Sequence, residues 1–204
     1  MKNKLSFLLP ALFAIILAFS TANAQISLGI KGGANISNLS GFEDFGEFES
    51  KAKIGLNLGG FVTFNLGKNI AIQPELFYSS QGAKIDEIDE NISLNYINIP
   101  VMLKLMTNKG FYVEAGPQIG ILAGDVKLDG VDVSDEFKNS DLSAGFGLGF
   151  QGMKSPIGLG LRYNVGLGKV NEVTNSTIDN ANIKNGVFQI SLYWRLLGGG
   201  KLKK

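Results

Sequence analysis

From residue 26 onward the chain alternates. Apolar and polar side chains follow one another with period two in eight successive stretches, and no stretch carries the 3.6-residue period of a long amphipathic helix. The stretches are 26–36, 54–65, 69–81, 94–106, 111–123, 142–151, 157–167 and 187–196. In the seventh, Ile157, Leu159, Leu161, Tyr163, Val165 and Leu167 oppose Arg162 and Asn164. In the eighth, Phe188, Ile190, Leu192, Trp194 and Leu196 oppose Gln189, Ser191, Tyr193 and Arg195. Phe61 is the exception in the second stretch, falling on the polar face. Such a pattern predicts an all-β chain of eight strands, each sending alternate side chains to opposite faces of a sheet.

Alternation alone fits a soluble sheet as well as a membrane barrel, and three further features decide between them. The stretches run to about 10 or more residues, longer than ordinary globular strands and close to what a tilted strand needs to cross a bilayer. The charges within them, Lys31, Glu75, Lys104, Glu114, Arg162 and Arg195, all share the polar face. A soluble barrel would turn its apolar face inward, whereas a membrane barrel turns that face to lipid and fills its lumen with the polar one. The connections also alternate. Segments 37–53, 82–93, 124–141 and 168–186 are long and polar, while Leu66-Gly67-Lys68, Asn108-Lys109-Gly110 and Gly152-Met153-Lys154-Ser155 are tight turns. Long external loops and short periplasmic turns on an even strand number predict an eight-stranded antiparallel up-and-down transmembrane β-barrel over 25–197 with both termini in the periplasm. Closure leaves no unpaired edge in lipid. Phe64, Tyr78, Phe111, Phe150, Tyr163 and Trp194, near strand ends on the apolar face, are placed as interfacial girdles would be.

The start of the chain agrees with export. Lys2 and Lys4 precede an apolar run from Leu5 to Phe19, and Ala22-Asn23-Ala24 follows as a small-residue cleavage signal. The apolar core, roughly 15 residues, is shorter than the about 20 that a spanning helix needs. Residues 1–24 therefore read as a signal peptide cut between Ala24 and Gln25, and 198–204 as a periplasmic tail. Without Lys2 and Lys4 the 19 basic residues become 17 against 18 acidic ones, which gives nucleic acid nothing to bind. The chain has no cysteine, which excludes disulfides, thiolate metal sites and a lipoprotein anchor. The 27 glycines include Gly145-Phe146-Gly147-Leu148-Gly149 and Gly158-Leu159-Gly160. No helix follows them as in a nucleotide loop; facing a narrow lumen, they make room for larger neighbours.

Four segments carry a family resemblance: Tyr96-Ile97-Asn98-Ile99-Pro100-Val101-Met102-Leu103-Lys104, Glu114-Ala115-Gly116-Pro117-Gln118-Ile119-Gly120, Leu161-Arg162-Tyr163-Asn164-Val165-Gly166-Leu167 and Val187-Phe188-Gln189-Ile190-Ser191-Leu192. In this order they resemble the successive motifs of the PorT-like outer-membrane β-barrel family of Bacteroidetes, within the porin family. The resemblance implies an outer-membrane barrel, usually without assigned activity; the family's namesake is an accessory protein of protein secretion.

The candidate site is the lumen charge network of Lys31, Glu75, Lys104, Glu114, Arg162 and Arg195, in which carboxylates and cations pair and plug the bore, since an unpaired charge in a narrow lumen is costly. Glu75 and Lys104 lie on adjacent strands, as do Arg162 and Arg195. An ion or proton path, or an anion at the arginine pair, is the alternative. No catalytic residue, cofactor or metal ligand stands out. Enzymes on small barrels normally use a histidine base, and the chain has none. Asp86, Asp89, Asp129, Asp132 and Asp135 read as solvated loop acids, and the run from Asp129 to Glu136 lacks the spacing of a calcium loop. The expected partners are outer-membrane lipid and lipopolysaccharide, the barrel-insertion machinery and a protein at the external loops. The expected function is a filled, non-porin barrel with a structural or interaction role and no enzymatic activity. A transport or secretion accessory is the alternative, and a soluble lipocalin-like barrel binding a small ligand a further one. The mature protein purified from an exporting host is predicted to begin at Gln25 on N-terminal sequencing; a chain still beginning at Met1 would exclude the signal peptide.

Overall fold

The computed structural model describes residues 25–40, 50–85, 90–124, 127–128, 131–132, 140–152, 155–167 and 184–198. The signal peptide with Ala24, the tail from 199, and the loop acids Asp86, Asp89, Asp129, Asp135 and Glu136 lie outside the described residues. All regular structure among the described residues is strand: β1 Gln25–Ser40, β2 Ser50–Asn65, β3 Ile70–Ile85, β4 Glu90–Met106, β5 Phe111–Leu122, β6 Lys127–Leu128, β7 Val131–Asp132, β8 Ser140–Gln151, β9 Ile157–Gly166 and β10 Lys184–Leu197.

Eight of these make the barrel. Each pairs antiparallel with its neighbour in the order β1-β2-β3-β4-β5-β8-β9-β10, and β10 returns to β1 from Leu28↔Leu197 to Ser40↔Lys184, which closes the sheet. β6 and β7 are two-residue strands of a small ribbon between β5 and β8, attached to β4 through Ile92↔Leu128. The tight turns fall as the sequence predicts: Leu66 and Gly67 donate their main-chain N–H to the Ile70 carbonyl, and Thr107 donates to Phe111.

The strands run further into the loop side than the alternation predicts. Residues 37–40, 50–53, 82–85, 90–93 and 184–186, read as loop, continue the ladders, as in Ser37↔Lys53 and Ile85↔Glu90. The connection 82–93 thus shrinks to residues 86–89. The reason is physical. Above the lipid the outward side chains need not be apolar, so the period-two contrast disappears while the backbone ladder goes on. The rim is uneven: β1, β2, β3, β4 and β10 have 16, 16, 16, 17 and 14 residues, against 12, 12 and 10 for β5, β8 and β9.

The faces are inverted relative to a soluble protein. Ile54, Leu56, Leu58, Val113, Leu148 and Leu192 are exposed, while Lys31, Glu75, Lys104 and Arg162 are buried. A lipocalin-like barrel would have the opposite polarity, so that alternative is overturned. Tyr78, Phe111, Phe150, Tyr163 and Trp194 face outward as expected, with Phe111 and Phe150 edge to face at 5.1 Å. Phe64 departs from the girdle. It is 5% exposed, lying between its register partners Ile26 and Ile72.

The glycines of β8 and β9 give space to aromatic residues in the bore. A Cβ at Gly149 would stand 2.5 Å from the Tyr112 hydroxyl, and one at Gly160 2.6 Å from that hydroxyl and 2.7 Å from the Tyr193 ring. Small wall residues thus let large ones reach the axis of an interior that side chains only just fill. Gly160→Val is predicted to lose about 1–3 kcal/mol by overpacking, read as a lower melting midpoint of the heat-modifiable band. Gly60→Val, with no atom nearer than 3.5 Å to the added Cβ, should leave that midpoint unchanged.

Candidate functional site

The inward positions of five strands converge on one cluster. Glu75 of β3 is held from two sides. Lys31 of β1 donates to its Oε2 at 2.6 Å, and Arg162 of β9 reaches across the bore with a two-pronged contact, Nη1 to Oε2 at 2.9 Å and Nη2 to Oε1 at 2.7 Å. β9 and β3 stand four places apart in the eight-strand ring, so this contact spans a diameter. Arg162 Nε donates to Glu114 Oε1 of β5 at 2.7 Å, and Glu114 Oε2 lies 3.3 Å from Lys104 Nζ of β4. All five side chains are 0–2% exposed. The paired, charge-assisted geometry offsets the desolvation that burial of each ion costs.

Aromatic rings line the cations. Lys31 Nζ sits 4.2 Å from the Phe77 ring centre, and Lys104 Nζ sits 4.1 Å from that of Tyr112 and 4.9 Å from that of Tyr193. Phe61, the exception in the alternation, packs edge to face on Tyr193 at 5.6 Å. The cluster holds three cations and two carboxylates. The rings, whose faces carry negative quadrupole density, accommodate part of the excess. Lys104 is the most weakly held cation, with one carboxylate oxygen at 3.3 Å.

A neutral chain lies on the loop side of the cluster. Ser191 Oγ donates to Asn57 Oδ1 at 3.1 Å, Asn57 Nδ2 to Asn35 Oδ1 at 2.7 Å, and Asn35 Nδ2 to Ser79 Oγ at 2.8 Å. Four strands of wall are tied by side chains there. Among the described residues no group of three carboxylates is placed to hold a metal ion.

Five of the six residues read from the sequence meet in this cluster, and Arg195 does not. Its Nη2 donates to the carbonyls of Gly152 at 3.0 Å and Ser155 at 2.9 Å, so it clamps the turn between β8 and β9. Arg162 lies opposite Gln189, and the six residues from there to Arg195 carry the strand about 20 Å toward the short-turn end. The arginine pair, and the anion site built on it, is therefore withdrawn. Glu75 and Lys104, neighbours by strand order, are not partners either: Lys104 is the register partner of Glu114. Sequence reading missed Phe77, which is in phase with Glu75 and Ser79, and placed Thr63 and Gln73 on the polar face without joining them to Glu75, to which Gln73 Nε2 donates at 2.8 Å.

A family model described as "Outer membrane protein beta-barrel domain" matches residues 20–172. The chain belongs to this family. It is an outer-membrane β-barrel protein. Solved barrels are similar to it in fold. Neisserial surface protein A matches with a TM-score of 0.53 at 14% identity, over 84% of this chain and 99% of that one. Ail, the attachment invasion locus protein of Yersinia pestis, matches in complex with the heparin analogue sucrose octasulfate with a TM-score of 0.46 at 15% identity, over 84% and 99%. OprG of Pseudomonas aeruginosa matches with a TM-score of 0.46 at 14% identity, over 85% and 96%. Nothing among curated proteins matches the chain.

Removing Arg162 leaves two carboxylates short of their shared partner, whereas removing Lys104 leaves Glu114 still held. Arg162→Met is predicted to cost about 3–5 kcal/mol in denaturant unfolding from detergent micelles, and Lys104→Met distinctly less. Equal losses would refute the ranking.

Proposed function

We propose that this outer-membrane barrel is sealed, with a structural or interaction role exercised through its loop-side rim rather than through its bore, and without enzymatic activity. The observation that carries the reading is Arg162 spanning the lumen to Glu75 and Glu114 with all three side chains buried. A bore crossed at that height by a two-pronged ion pair leaves no ion path. The ladders of β10, β1, β2, β3 and β4 that continue past the alternating stretches, as in Ser40↔Lys184 and Ile85↔Glu90, support a role at the rim, because they carry the sheet beyond the apolar belt. Lipid and lipopolysaccharide around the belt, a protein partner at the rim, the insertion machinery as the assembly partner, and periplasmic termini belong to the same reading.

A second reading, an accessory of transport or protein secretion, is favoured by the PorT-like resemblance. Three of its four motifs contain a plug residue: Lys104, Glu114 and Arg162. Kinship with the PorT-like proteins of Bacteroidetes is part of this proposal.

Planar-bilayer recording of the purified barrel, with fractionation of the producing cells, tests the sealed reading. The protein is expected in the outer membrane, to give no stable current of porin size, and to shield a tag after Lys204 from protease in intact cells. A stable open current would overturn the plug, and a cleaved tag the periplasmic termini.

A further inference from the structure

Three successive ladders each lapse at a proline, and β2–β3 has a second lapse nearer the loops, between Ala52 and Asn57, where the register shifts. Between β2 and β3 the rungs stop at Phe61↔Glu75 and resume at Phe64↔Ile72, passing over Pro74. Between β3 and β4 they stop at Pro74↔Val101 and resume at Phe77↔Asn98, passing over Pro100. Between β4 and β5 they stop at Pro100↔Gln118 and resume at Leu103↔Ala115, passing over Pro117. The register is in step on both sides of each of the three proline gaps, so these are missing rungs and not bulges. A proline has no N–H to donate and removes a ladder bond wherever it sits in a sheet. The gaps join diagonally, from residues 73–74 to 75–76 along β3 and from 99–100 to 101–102 along β4. The ladders β1–β2, β5–β8, β8–β9 and β9–β10 run without such a break.

The plug has a matching arrangement. Each strand that borders the seam on either side of β4, and β4 itself, contributes one plug residue: Glu75 from β3, Lys104 from β4 and Glu114 from β5. Lys31 and Arg162, which hold the two glutamates, come from β1 and β9, outside the seam. The β2–β3 gap is crossed by a side-chain bond, Thr63 Oγ1 to Gln73 Oε1 at 2.8 Å, and Gln73 Nε2 passes it on to Glu75 Oε1 at 2.8 Å.

We infer that β3, β4 and β5 contain a proline seam, a weak arc of the wall beside the charge cluster, and that the charge plug is the latch holding it shut. In hydrocarbon a missing backbone bond has no water to replace it, so this arc is the one from which local opening starts. The ion pairs act there as struts from the opposite wall. The inference uses the ion-pair geometry and does not require a sealed bore. Conductance measured on the same samples therefore reads the sealing separately.

Hydrogen exchange of the full barrel in lipid nanodiscs, resolved by residue, is the test. In the wild type the amides of Leu76, Ile99, Val101, Met102 and Gly116 are expected to exchange at least roughly tenfold faster than those of β5–β8 rungs. Arg162→Met should raise exchange in the seam and leave the β1–β2 and β8–β9 ladders as they were. Should that variant not fold, Lys31→Met releases one strut alone and is expected to show the same localisation to a smaller degree. Replacing Pro74, Pro100 and Pro117 together by Val restores the donors and should slow the seam to the level of the other ladders. Seam amides as protected as the rest in the wild type, or a plug variant that raises exchange evenly round the barrel, would overturn the inference.

Discussion

A strand in hydrocarbon has no water to satisfy its backbone, and the pairing of β10 with β1 is what meets that constraint. With the ring closed every strand of the barrel has two neighbours, and no edge remains for lipid to meet. Closure at eight strands also fixes a bore that side chains can only just fill. The polarity of the chain follows: apolar side chains cover the outside, and the inward positions must pack a narrow, low-dielectric column with groups that satisfy each other.

That column is solved by complementarity of size and of charge. Glycines on β8 and β9 leave room, and Tyr112 and Tyr193 use it, bringing rings beside Lys104. Arg162 then serves both glutamates, because a guanidinium presents several donors in a rigid fork while an ammonium does not. Substitution by lysine would keep the charge and lose the two-pronged span. The cluster's excess of one cation falls on Lys104, whose carboxylate contact at 3.3 Å is the longest in the cluster and which lies beside the Tyr112 and Tyr193 rings.

Much of the fold was legible because lipid and lumen demand opposite side chains at alternate residues. Leu159, Leu161 and Tyr163 against Arg162 and Asn164 leave one choice of face. Legibility ended where that contrast ends. Ser37, Lys53 and Gly82 are ladder residues above the belt, where both faces tolerate polar groups, and nothing in their pattern distinguishes strand from loop. Parity also gives facing without height. It put Arg195 inward with Arg162 but could not tell that Arg195 lies at the turn, where main-chain carbonyls are the available acceptors. Which cation meets which carboxylate depends on the ring itself, since β3 and β9 become opposite only when eight strands close. The prolines were visible as residues but not as a seam, because their alignment across β3, β4 and β5 is a matter of register.

On the proposed reading of a sealed bore, recognition belongs to the outside of the barrel, and the outside is not symmetric. The arc from β10 through β1 to β4 steps down to β5, β8 and β9 unequally at its two ends: on the loop side β4 runs six residues, on the order of 20 Å before tilt, past its last rung with β5, Tyr96↔Leu122, whereas β10 runs two past Gly186↔Val165. The ladder bonds of this arc, such as Asn38↔Gly186 and Ile85↔Glu90, make it a rigid platform and not a set of separate loops. The low arc is the one joined to its neighbours by the segments 123–139 and 167–183. The proline seam begins between β2 and β3 and ends at the boundary between these two arcs, in the ladder of β4 with the short strand β5. There β4 is tied across the lapse by Lys104 and Glu114, whose side chains meet at 3.3 Å beside the rungs Leu103↔Ala115 and Lys104↔Glu114 that resume the ladder.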